Sequence, residues 1–143
     1  MFRRLRSTSS TWATIPLRLA LGAIFIAHGS QKVLGSFNGP GLKTFTAAPP
    51  PFHFMRPGWL WMGAAAFSEL VGGALLVLGF FTRLGAFVIV CVMLAAIIGI
   101  HWPVFFAGSN GFEYPLSLLG GALSLLIAGG GQLSADRLTG NRR

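Results

Sequence analysis

The chain has 143 residues, of which 53% are hydrophobic and 10% charged, with a formal net charge of +8. Soluble domains carry about 25% charged residues, so this composition describes one membrane domain and sets aside a water-soluble globule. The cations sit in the termini and in short loops beside apolar runs, where orientation signals lie, so no nucleic-acid partner is expected.

Residues 1–11 form a basic, serine-rich tail, followed by Trp12 as an interfacial anchor and Pro16 in a first helical turn. Arg3, Arg4 and Arg6 before an apolar run resemble a secretory leader. Arg18 interrupts that run and no small-x-small site follows, so a retained first span is expected, with a cleaved leader as the alternative. Span one covers 15–34, enough at 1.5 Å per residue for a ~30 Å core. In a helix its Arg18, His28 and Lys32 fall within an arc of roughly 80°, with Phe25 and Gly29 beside them. Each charge facing lipid near the bilayer centre costs about 2.5–3.5 kcal/mol, so this face should look at other helices or a wet cavity.

Residues 35–57 form an outer loop rich in Gly, Pro and Phe. GLKTFTAA within it suits a short interfacial helix, and Pro49, Pro50 and Pro51 stop its continuation. Span two, 59–81, is apolar except for Ser68 and Glu69, and its glycines allow close helix approach. A tight turn brings span three, 84–106, back beside it, with Cys91 central and His101 near the far end. This cysteine is the only one, so no internal disulfide and no CxxC redox motif exists. No metal-ligand spacing is present either. Span four, 112–128, carries Glu113 in its first turn, where a carboxylate suits the helix dipole. Gly129, Gly130 and Gly131 end it, and Ser134 reads as the N-cap of a short polar tail.

The expected fold is thus all-α: four transmembrane helices in an up-down-up-down bundle. Arg3, Arg4, Arg6, Arg83, Arg137, Arg142 and Arg143 fall on one side, against Lys43, Arg56 and the edge residue Lys32 on the other, so both termini should be cytoplasmic. The order Arg18, His28, Glu69 and then Arg83, His101, Glu113 also hints at an internal repeat.

By helical rise, His28, Lys32, His101 and Glu113 share a layer in the outer half, and Glu69 lies near the midplane. Two carboxylates therefore face the cationic stripe: Glu113 for Lys32 and the histidines, Glu69 for Arg18 or Lys32. One reading is that these charges only pin the bundle together. Another is a polar pocket open to the outer face, taking a small polar or quinone-like ligand, because intramembrane ionisable groups default to functional sites. Bis-histidine haem ligation by His28 and His101 is a third. His53 reads as an ordinary surface residue.

The series Arg18, His28-Gly29 with Lys32, Glu69 with Gly72-Gly73 and Gly79, His101, Glu113-Tyr114-Pro115 and Leu133-Ser134-Ala135-Asp136 resembles the DoxX family of small four-helix bacterial membrane proteins. The likeness runs from Pro16 to Arg137, departing at Gly129-Gly130-Gly131, where members often have Gly-Pro-Gly. It implies a multi-pass protein of the bacterial plasma (inner) membrane, associated with respiratory or sulfur redox chemistry. Founding members look like subunits of a thiosulfate:quinone oxidoreductase. The expected ligand site is His28, Lys32, Glu69, His101, Glu113 and Tyr114, with Arg18 in structural ion pairing. A histidine would bond a quinone carbonyl, Lys32 would steady negative charge, and Glu69 or Glu113 would exchange protons. No electron donor lies in this chain, so catalysis requires a redox-enzyme partner subunit; homo-oligomerisation is the other expected association, and lipid the surrounding one. The rivals are a proton-coupled or small-solute transport subunit, with Glu69 as coupling carboxylate, and a membrane anchor for a soluble redox enzyme.

Overall fold

A computed structural model of the protein describes residues 11–139, and among these it is helical with no strand. The helices are α1 (Thr14–Leu34), α2 (Gly41–Ala47), α3 (Gly58–Leu78), α4 (Thr82–Ala96, continued by a π-helical turn Ile97–His101), α5 (Glu113–Ala128) and α6 (Ala135–Thr139). Of the tail arginines that set the expected orientation, Arg3, Arg4, Arg6, Arg142 and Arg143 lie outside the described residues.

Helix ends follow local chemistry. Gly35 stops α1 in the left-handed region at φ 72°, and its N–H donates to the Ser30 carbonyl. Gly79 stops α3 at φ 63°, three residues before the expected end, with the Phe80 N–H returning to Leu75 in a Schellman arrangement. Span three was expected to reach residue 106, but α4 and its π turn end at His101. Trp102 is extended ahead of Pro103, which lacks an N–H and disfavours helix in the residue before it.

Gly58–Leu78 and Thr82–His101 are long and apolar enough to cross a membrane, whereas α5, at 16 residues, is shorter. The 21-residue α1 has the length but a lower mean hydropathy, because Arg18, His28, Gln31 and Lys32 lie within it.

In packing, α1 lies on α3, α3 on α4, α4 on α5, and α5 closes back on α1, while α2 rests on α1 and α3. Phe25, Leu76, Ala86, Ile89, Ala122 and Leu125 fill the shared core and are almost fully buried. Two interfaces are too close for side chains. A Cβ on Gly73 would stand 2.7 Å from the Ile26 nitrogen and 2.9 Å from the Gly22 carbonyl oxygen, and one on Gly29 would stand 2.5 Å from the Leu70 nitrogen. About 100° around α3, a Cβ on Gly72 would meet Val88 and Ile89 of α4. Small residues therefore let the α3 backbone lie against both neighbours.

Candidate functional site

The α1–α3 contact sets the site. Gly29 seats α1 on the backbone of Leu70, and Lys32, one turn further on, is thereby brought over Glu69. The Lys32 Nζ donates to both carboxylate oxygens of Glu69, at 2.5 Å to Oε1 and 2.6 Å to Oε2. Glu69 is 3% exposed and Lys32 24%, so the carboxylate is the captive member and the ammonium keeps an outlet. The Phe45 ring lies 5.1 Å from Nζ, a cation–π contact from the short helix α2.

The pair lines a cavity of about 300 Å³ between the Trp61–Glu69 half of α3 and the Cys91–Ile100 half of α4. Ser68 adds a hydroxyl and Trp61 an indole N–H, and the remaining wall is apolar, aromatic and sulfur-bearing, including Met62 and Cys91. Pro51 and Met55 of the loop between α2 and α3 join Phe45 as its cover. A cavity of this size, apolar with a few convergent polar groups, fits a small ligand with one polar edge.

The other expected site residues lie elsewhere. His28 is exposed on the flank of α1, and its ring makes no hydrogen bond among the described residues. His101 is half-buried, and its Nδ1 lies 2.7 Å from the Asn110 carbonyl oxygen; a carbonyl only accepts, so Nδ1 carries the proton. Glu113 is half-buried in the first turn of α5 and forms no ion pair among the described residues, and Tyr114 is 45% exposed. None of these four lines the cavity. A more open hollow of about 740 Å³ in the loop between α2 and α3 contains His53 and Arg56 and none of the expected site residues.

Arg18 takes part in a second, separate cluster and does not reach Glu69. Its Nη1 donates to the Gly130 carbonyl at 2.7 Å and its Nη2 to the Leu133 carbonyl at 2.6 Å, while Thr14 donates to Gly130 at 3.2 Å. Both carbonyls lie in the non-helical stretch between α5 and α6, where no helical N–H meets them, and the guanidinium satisfies them. Asp136, 1% exposed, is the nearby countercharge. Its carboxylate accepts the Phe81 and Thr82 N–H groups at 2.8 Å each, capping α4 across a long sequence separation. Ser134 Oγ accepts the Arg137 N–H at 3.2 Å and so caps α6.

A helical membrane protein with a charge pair set beside an apolar cavity is thus the class defined by fold and composition. A family model described as DoxX matches residues 13–102, and the chain belongs to the DoxX family. The matched stretch holds Arg18, His28, Lys32, Glu69 and His101, and leaves out Glu113, Tyr114, α5 and α6. Neither a curated protein nor a solved structure matches the chain.

Proposed function

We propose that the protein is a multi-pass subunit of the bacterial plasma membrane, with four spans formed by α1, α3, α4 and α5, that binds a quinone headgroup at Lys32 and Glu69 in support of a redox-enzyme partner. The observation that carries this reading is the Lys32–Glu69 pair on the wall of an otherwise apolar cavity of about 300 Å³. An ion pair is costly to hold in a membrane interior, and its placement against a cavity rather than in packed core supports a ligand-facing role.

The residues fit such a ring. Phe45 and Trp61 offer flat apolar surfaces, Lys32 Nζ has a donor free for a carbonyl oxygen beyond its two bonds to Glu69, and Glu69 can hold or release a proton beside it. A bound quinone supplies the capacity to accept electrons and protons, and the electrons come from the partner subunit. The site narrows to Lys32 and Glu69, because His28, His101, Glu113 and Tyr114 stand away from the cavity.

The test uses the chain's single cysteine, which is exposed and lines the cavity, as reporter. A fully substituted benzoquinone, which cannot add to the thiol, should slow alkylation of Cys91 by a neutral maleimide in reconstituted protein. Lys32→Met and Glu69→Gln should each weaken that protection about tenfold or more, the scale of one charge-assisted hydrogen bond. Unprotected Cys91 at saturating quinone, or protection indifferent to both substitutions, defeats the proposal.

A further inference from the structure

The cavity has two sides, and they differ. Toward the outer surface it is covered. A Cβ on Gly99 would stand 2.5 Å from the Pro51 Cβ and 3.1 Å from the Phe52 ring, so the proline loop is pressed onto the end of α4. A Cβ on Gly63 of α3 would stand 3.7 Å from Thr46 Cγ2 of α2, and Phe45 lies over Lys32.

Toward the flank the wall is open. Ala64, Trp61, Cys91 and Ile100 line the cavity and are also exposed on the outside of the α3–α4 pair. Small side chains create this gap, with Ala64, Ala65 and Ser68 on α3 facing Ala95 and Ala96 on α4. Deeper in the bundle Gly72 and Gly85 draw the same two helices together and close it. Glu69 and Cys91 each lie nine residues from the α3–α4 turn, about 14 Å along their helices at 1.5 Å per residue. The buried carboxylate and the exposed thiol therefore mark the inner and outer ends of one level path, at mid-helix depth, where the surroundings of a membrane protein are hydrocarbon.

We infer that the ligand is lipid-soluble and enters sideways from the bilayer between α3 and α4, its polar ring at Lys32–Glu69 and an apolar chain trailing out past Cys91. This rests on the ligand site proposed above and specifies its substrate class and route. A chain lying in the opening leaves hydrocarbon for a hydrocarbon-like groove, so it neither adds much affinity nor obstructs binding.

Reconstituted full-length protein tests this by the rate of Cys91 alkylation. A neutral maleimide should react about tenfold or more faster than a sulfonated one of similar size, since the charged reagent must leave water. Ala64→Trp, checked for retained helicity, should slow the neutral reagent by about the same factor by narrowing the gap. Fully substituted benzoquinones with and without a ten-carbon chain should protect Cys91 at bilayer mole fractions within about threefold of each other. Equal rates for the two maleimides, or loss of protection when the chain is present, overturns the lateral route while leaving a chainless quinone site intact. Neither quinone protecting, with reagent selectivity retained, removes the quinone reading and supports the opening to the bilayer alone.

Discussion

At the scale of single residues, the asymmetry within the Lys32–Glu69 pair decides how each change is felt. Lys32 is 24% exposed and lies beside Phe45, so when Glu69 is neutralised the ammonium can turn toward the headgroup region. Glu69 is 3% exposed and has nowhere to go. Removing one member of a buried pair costs about 3–5 kcal/mol when the other stays buried and charged, so Lys32→Met belongs in that range. Glu69→Gln should cost at least about 1 kcal/mol less, and Lys32→Met with Glu69→Leu should recover much of the single-mutant loss, since no charge is left stranded. Unfolding midpoints in detergent measure the order, and Glu69→Gln proving worse than Lys32→Met contradicts it. That Lys32 needed a carboxylate was legible from the sequence. Which carboxylate was not, because helical depth sets Glu113 in the layer of Lys32 and Glu69 deeper, and only the seating of Gly29 on Leu70 brings Glu69 to the ammonium.

Among the elements, the α1–α3 seam is where one methyl group matters most. A Cβ on Gly73 meets main-chain atoms of Ile26 and Gly22 and not the ends of flexible side chains, so the helices themselves must move apart. Gly73→Ala should therefore cost about 1–3 kcal/mol by overpacking, and it should also disturb the Lys32–Glu69 bond through the same seam. Gly120→Ala on α5 is the contrast: nothing lies within 4 Å of its added Cβ, and the gain in helix propensity makes it neutral or stabilising by up to about 1 kcal/mol. Equal losses from both in a thermal unfolding series argue against the seam. The helices themselves were legible as apolar runs, and the glycines of α3 as points of close approach. Gly22 and Gly29, two turns apart on α1, were the unread half of that seam, overshadowed by the charges around them. The end of α4 was misplaced because hydropathy continues through Trp102, Val104 and Phe105 while Pro103 ends the helix.

For the molecule as a whole, the two polar clusters divide the labour between its ends. At one end Arg18, Gly130, Leu133 and Asp136 tie the starts of α1 and α4 to the chain beyond α5, a closure invisible to periodicity because each bond spans more than fifty residues. At the other end Lys32 and Glu69 stand beside the cavity and its loop cover. Arg83 and Arg137 lie at the first end, Lys43 and Arg56 in the segment joining α1 to α3 at the second. In the proposed four-span arrangement the Lys/Arg excess, with the tail arginines of the sequence added, predicts the Arg18 end on the cytoplasmic side and the α4–α5 loop outside. Two positions can report this without disturbing packing. A side chain added at Gly108 has nothing within 4 Å, and Leu138 is 88% exposed. In a Cys91→Ala background, Gly108→Cys should react with a sulfonated maleimide added to intact cells whose outer layer admits it, and Leu138→Cys only after the plasma membrane is opened. The reverse pattern inverts the topology, and labelling of both from one side breaks the four-span arrangement, because the odd number of crossings left between them cannot put the α4–α5 loop and α6 in the same compartment.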